Sequence, residues 1–397
     1  MCMRAQKKCM QVIPRKRIHT PLSKAVLARA CDSRVVDDFE DAFARRTKQD
    51  EALAFSSARF GLELVLSYYG VGSGDEVLLP AYNTPIVANV VRRLGARPVF
   101  VDVNADSFNL NADALAKQVS KRTRAVIGLH AHGNPFNVSA VNAFCEEHGL
   151  ILVEDCAHAL ETSYHLKPAG SFGHAAVFSL GIGKELNTLG GGVVVTSDEG
   201  LSKHLREEQK HARRASPIVT LRKVMKASVF EKALLPRVFA LTSYPVLRIL
   251  RMFNKDPLAF LFEDIGVKTP KNAEFSRLQA SLGLFQLEHP AHLKARRKNA
   301  HALAKKLSRI VPVQNVARFS KHSYADLVFL SDEREKMLAH LLARGIDAQP
   351  SWLTYCGKEQ HTISRMISKR TVLLPVRADF SKETLARVYN AVSVGVA

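Results

Sequence analysis

From residue 51 onward, short apolar runs alternate with longer amphipathic stretches. Glu76–Pro80, Arg97–Val101, Ala125–Leu129, Leu150–Asp155, Ala175–Leu180 and Gly192–Thr196 read as short buried strands. Val87–Leu94, Ala112–Val119 and Val138–His148 carry helical periodicity between them. Such alternation predicts βαβ units and a mostly parallel sheet flanked by helices. From about Glu288 the pattern changes to that of a smaller α+β domain. It holds a basic helix over Lys294–Leu307, a strand over Leu327–Leu330 and a helix over Glu335–Arg344, then a strand over Thr371–Pro375 and a closing helix over Lys382–Val392. The expected fold class is therefore α/β, with a large domain over 51–287, a small C-terminal α+β domain over 288–397, and a basic lead-in over 1–50 holding one helix near Val35–Arg46.

The stretch 217–262 breaks this regularity. Apolar runs there are interrupted by charges that are nearly all positive, among them Arg222, Lys223, Lys226, Lys232, Arg237, Arg248 and Arg251. Pro236 and Pro245 divide it further, so no run approaches the roughly 20 apolar residues needed to span a bilayer. Two readings fit: basic amphipathic helices lying on a membrane interface, or a helical insertion, extending to about residue 265, packed on the large domain or across a dimer interface.

Composition narrows the class. The chain has 397 residues, 47% hydrophobic and 24% charged, as expected of a globular protein with a large core. Its formal net charge is +20, a surplus that attracts anions such as nucleotides, phosphorylated substrates or acidic lipid. The six cysteines are scattered without a CxxC pair, which suits neither a disulfide framework nor a zinc site and points to reduced thiols in the cytoplasm. The basic N-terminus lacks an apolar region behind it and reads as a tail on the folded body. No zinc-finger spacing or RNA-binding aromatic motif supports nucleic-acid recognition.

Ligands of open α/β sheets lie beyond the carboxyl ends of the strands. Three polar groups stand there: Glu154-Asp155-Cys156-Ala157-His158, the loop from Ser179 through Gly181 and Gly183 to Lys184, and the Ser56-Ser57-Ala58-Arg59 turn that opens a helix. Each alone is an ordinary cap or loop. Together they supply what pyridoxal 5'-phosphate (PLP) requires: an amine for its aldehyde, a carboxylate for its ring nitrogen and a helix N-terminus for its phosphate. A carboxylate beside the ring nitrogen favours the cationic ring, the better electron sink.

These runs also resemble a known family. Gly74-Asp75-Glu76-Val77, Pro80-Ala81-Tyr82, Gly95–Asp102, Val153–His158, Gly170-Ser171-Phe172-Gly173, Ser179 to Lys184, and Asn272 with Gln279–Leu287 follow the order and spacing of the DegT/DnrJ/StrS sugar aminotransferases, PLP enzymes of fold type I. The resemblance covers most of the chain and is weakest before residue 50 and across 217–265. It implies that Lys184 forms the Schiff base, that Asp155 pairs with the ring nitrogen, and that His158 lies against the ring. It further implies that Ser179 and the turn at Ala58 serve the phosphate, with Arg59 there facing either phosphate or substrate, and that Tyr82 lies in a loop giving an aromatic wall. Asn272 would reach the phosphate of a neighbouring subunit, which implies a homodimer with shared sites.

The chain departs from the family pattern at Ala58-Arg59, where Gly-Thr is usual, at Glu274, where arginine is common, and in the length of 217–262. The implied reaction moves an amino group from an amino-acid donor, glutamate by analogy, to a keto-sugar acceptor carried on a nucleotide or lipid. A sugar dehydratase of the same fold would replace Lys184 by histidine. A non-catalytic PLP-binding or regulatory protein, docked on membrane through the basic surface, is the rival from another class.

Overall fold

The computed structural model describes residues 12–16, 18, 20–251 and 272–396. Its centre is a seven-stranded sheet in the order Glu51–Phe55, Gly192–Thr196, Ala175–Ser179, Ile151–Asp155, Thr123–Leu129, Glu76–Pro80 and Arg97–Val101. The last five run parallel, and the first two pair antiparallel at one edge. Parallel strands need crossover helices on both faces, and two apolar layers form accordingly. One packs Val65, Leu66 and Val90 under Leu79, Ile127 and Val153. The other sets Leu110, Phe136 and Val141 against Leu78, Val126 and Leu152.

The C-terminal part builds a second, antiparallel sheet from Leu327–Leu330, Thr371–Leu374 and Gln349–Pro350. The helices Ala291–Leu307, Arg334–Ala343 and Lys382–Val396 close over it. A two-residue pairing joins the two parts, Tyr82–Asn83 against Thr354–Tyr355.

Three expectations change. Glu51–Phe55, whose alternating alanines carry little strand propensity, is a strand because the Gly192–Thr196 edge offers it a full ladder. The helix expected over Ala112–Val119 stops at Leu115. Beyond it the Ser120 and Thr123 hydroxyls take the backbone N–H groups of Arg122 and Ser120, and the Ser120 hydroxyl donates to Glu76, giving the chain an alternative to helix. Finally, the lead-in is not a free basic tail from residue 12 on. Ile13 exchanges backbone hydrogen bonds with Gly345 and Asp347. Arg15 forms a buried two-pronged pair with Asp347, 2.8 Å from Nε to Oδ2 and 2.9 Å from Nη2 to Oδ1. Residues 1–11 lie outside the described residues.

The 217–262 stretch is helical as far as it is described: Pro217–Ala233, Pro236–Leu241 and Ser243–Arg251. Each of the first two helices carries proline at its first position, where the missing N–H costs nothing. Their inner side chains pack on the body. Phe239, Tyr244 and Leu247 meet Val12, Ile18 and Leu342, and Ala227 meets Val26, Leu189 and Leu282. The remainder, 252–262, lies outside the described residues. No helix among the described residues is long and apolar enough to cross a membrane.

Candidate active site

Glu154 and Asp155 end the strand Ile151–Asp155, and successive strand residues face opposite sides. Glu154 is fully buried and occupied by structure. It accepts the N–H groups of Gly170, Phe172 and Gly173 at 2.8–2.9 Å and pairs with His130 Nε2 at 3.0 Å. Burial would raise its pKa, but these bonds outweigh it and hold the carboxyl below its ordinary value. The Gly170–Gly173 run is thus wrapped around a carboxylate. Asp155 is left for chemistry. Among the described residues its hydrogen bond comes from Ala157 N–H at 3.0 Å. Burial raises its pKa, partly offset by that bond and by the charge of Lys184.

Lys184 leaves the neighbouring strand Ala175–Ser179 through a glycine turn, its N–H donating to Gly181 O at 3.1 Å. A Cβ on Gly181 would lie 3.8 Å from Lys184 Cγ and 3.9 Å from Ser179 Oγ, so both side chains converge over that glycine. Lys184 is half-buried, and its amine meets His158 Nε2 directly. Its pKa falls to about 8, first through burial and then through the charge of Lys16, while Asp155, Asp326 and Glu185 pull the other way. An amine so placed is a substantially neutral nucleophile near pH 8. Burial and then the Lys184 charge hold His158 well below the ordinary histidine range, so its imidazole is neutral.

The Ser56–Arg59 turn opens a capped helix. Ser57 caps the helix Ala58–Tyr68 by accepting Phe60 N–H at 3.2 Å. Ser57 and Gly191 form a bridge, and a Cβ on Gly192 would lie 2.3 Å from Ala58 N. Only glycine admits the Gly-rich loop this close to the helix N-terminus. Arg59 is half-buried in the first turn of that helix.

Asn272 sits apart from this cluster. Its amide donates to Glu208 O at 3.0 Å, and its side-chain oxygen is buried without a hydrogen-bond partner among the described residues. Glu274 accepts Ala215 N–H at 3.2 Å. Tyr82 does not form an exposed wall. It is fully buried, pinned in the pairing with Tyr355, and its hydroxyl meets Ser351 Oγ at 2.7 Å, His132 Nε2 at 3.1 Å and Thr371 Oγ1 at 3.3 Å.

The aromatic face beside the lysine is Trp352, which sequence reading missed. It stacks on His158 with centroids 4.0 Å apart and planes 16° apart, and Lys184 Nζ lies 5.1 Å from its ring. Its indole N–H donates to Asp326 Oδ2 at 2.6 Å. Asp326 also faces Lys16 at 3.4 Å, His132 at 3.6 Å and His158 at 3.8 Å. Burial would raise the Asp326 pKa, but Lys16 and the two histidines outweigh it and hold it well below the carboxylate range. The one available signal was that Trp352 is the sole tryptophan of the chain. Nothing local marks Lys16 or Asp326.

Known proteins resemble this chain in sequence or in fold. A GDP-perosamine synthase of Vibrio cholerae is 33% identical over 164 residues, 41% of this chain and 45% of that protein, so the chain matches less than half the length of that curated relative. Among solved structures, S. venezuelae DesV is 24% identical with a TM-score of 0.71 over 93% of each chain. The aminotransferase TlmJ of Streptoalloteichus hindustanus is 24% identical with a TM-score of 0.72 over 96% of this chain and 99% of its own. A Streptococcus pneumoniae protein described as a sugar aminotransferase, in its PLP form, is 19% identical with a TM-score of 0.73 over 97% of this chain and 98% of its own. At these identities the structures show a shared fold. The DegT/DnrJ/EryC1/StrS aminotransferase family model matches residues 30–393, and the chain belongs to that family.

Proposed function

We propose that this chain is a PLP-dependent aminotransferase that transfers an amino group from an amino acid, glutamate by family analogy, to a keto sugar carried on a nucleotide or lipid. The observation that carries the reading is the pairing of the half-buried Lys184 amine, its pKa lowered to about 8, with the buried Asp155 carboxylate within electrostatic reach, the two standing at and just beyond the ends of adjacent parallel strands.

The residues fit the cofactor. Asp155 is a buried carboxylate that a cationic ring nitrogen would pull back toward its ordinary pKa. Lys184 is a desolvated amine able to hold an aldehyde, and the Ser57–Ala58 turn offers helix N-terminal donors to a phosphate. When bound, PLP supplies an electron sink for negative charge developing at the donor's α-carbon. Lys184 Nζ then takes the proton released from that carbon and later returns it to the product side, a transfer suited to an amine whose pKa is near the working pH. Asp155 keeps its negative charge toward the ring nitrogen. The His158–Trp352 stack sets an aromatic face beside Nζ, 5.1 Å away.

The reading includes a homodimer in which Asn272 serves the neighbouring subunit, supported by its buried side-chain oxygen, which has no hydrogen-bond partner among the described residues. It also includes a cytoplasmic place of action, in keeping with the free thiols of Cys31, Cys145, Cys156 and Cys356. The names DesV, TlmJ and GDP-perosamine synthase support a sugar acceptor. The test is to load the enzyme with PLP, add glutamate, and screen keto-sugar nucleotides for stoichiometric 2-oxoglutarate and amino sugar. Failure of every amino donor tested, glutamate included, to yield its keto acid with any acceptor would reject the activity.

A further inference from the structure

Ten of the sixteen large apolar side chains that stand exposed among the described residues lie in the one segment 217–251. On the helix Pro217–Ala233 they form a stripe. Ile218, Leu221, Met225 and Val229 recur every third or fourth residue and are 58–65% exposed, so they share one face. Leu241 and Ile249 continue the exposed apolar surface on the two following helices, at 82% and 59%. This is not an unfinished core, because the opposite faces of these helices are already packed on the body through Ala227, Phe239, Tyr244 and Leu247.

The same segment carries seven lysines and arginines and a single acid, Glu231. Glu231 is turned inward to accept Thr20 N–H at 3.3 Å. Arg222, Lys226, Lys232, Arg237 and Arg248 are exposed among the apolar side chains. An exposed apolar stripe interleaved with cations matches one surface chemistry, an anionic bilayer, where aliphatic side chains enter the acyl boundary and cations meet the headgroups. A second copy fits worse. A twofold interface sets the same patch against itself, which would oppose cation to cation. Nucleic acid would leave the aliphatic stripe in water. We therefore infer that the outer face of helices 217–251 docks this protein on an anionic membrane surface, as a peripheral contact that spans nothing.

The test uses the full-length, PLP-loaded protein and cosedimentation with vesicles of pure phosphatidylcholine or with about one-third phosphatidylglycerol. The expected result is binding to the anionic vesicles that weakens with salt, and little to the neutral ones. The triple variant Leu221→Glu, Met225→Glu, Val229→Glu should lower binding at least about tenfold, since it removes apolar insertion and adds like charge. A second variant, Arg222→Gln with Lys226→Gln, should lower it at low salt and change it little at high salt. All five positions point outward, so unchanged melting and unchanged bound-cofactor absorbance check that the variants fold. Equal sedimentation with neutral and anionic vesicles, or none with either, would overturn the inference. So would a triple variant whose only effect is a smaller assembly mass in light scattering, which would assign the face to a second copy of the chain.

Discussion

The Trp352 indole lies flat on the His158 imidazole, 4.0 Å between centroids, and the same indole hydrogen-bonds Asp326 from its edge. A side chain from the C-terminal part is thereby fixed against His158, with Lys184 Nζ 5.1 Å from its ring. Because it is the only tryptophan, its fluorescence is a private reporter of the site. Titrating the apoenzyme with PLP should quench tryptophan emission in parallel with the appearance of bound-cofactor absorbance. Unquenched emission at saturation would place the cofactor away from Trp352.

Lys16 and Asp326 act on Lys184 with opposite signs. The Lys16 charge lowers the Lys184 pKa and Asp326 raises it. With a pKa near 8, the neutral amine falls about tenfold per pH unit below that point and levels off above it. The rate of PLP capture by the apoenzyme should follow this curve. Lys16→Met should move the midpoint to higher pH, and Asp326→Asn to lower pH. Shifts in the same direction, measured by stopped-flow absorbance from pH 6.5 to 9.5 (a range chosen to bracket about 8), would contradict this electrostatic account.

Arg15 and Asp347 are each 1% exposed in their side chains. Arg15→Ala would leave a buried carboxylate without its partner, which costs about 3–5 kcal/mol. Urea unfolding should show that loss while the isolated Lys184 chemistry stays intact in the folded fraction. A loss below about 1 kcal/mol, the scale of an exposed pair, would mean that the lead-in is not anchored as described.

Adjacent acids should separate stability from activity. Glu154→Ala strips three backbone N–H groups and His130 of their acceptor, so it should lower the melting temperature sharply. Asp155→Asn preserves the acceptor for Ala157 and should leave melting nearly unchanged. It should nevertheless lower kcat by on the order of a hundredfold or more, the scale of a lost ionic partner in proton-transfer chemistry.

The sheet was legible because its strands are apolar runs of the right length between amphipathic helices, and Val138–His148 is a helix over the expected residues. Glu51–Phe55 was not, since an alanine-rich run becomes a strand only when a neighbouring edge supplies its hydrogen bonds. Within the site, Lys184, Asp155, Ser179 and the Ala58 turn come together because each stands at a strand end or helix start, where local sequence sets direction. Trp352 and Asp326 arrive from the C-terminal part of the chain and Lys16 from its N-terminal stretch. Their nearness to Lys184 is set by long-range packing, which local pattern does not encode. Tyr82 shows the same limit: it was expected in a loop, but it lies in a two-residue strand paired with Thr354–Tyr355, its hydroxyl held by Ser351, Thr371 and His132.

The account stands on Lys184 as the residue that holds the cofactor. Borohydride reduction of the PLP-loaded enzyme, followed by proteolysis and mass spectrometry, tests this directly. The phosphopyridoxyl mass should appear on the peptide containing Lys184, and Lys184→Ala should abolish both the label and turnover. A label on another lysine, or undiminished turnover in the variant, would contradict the assignment.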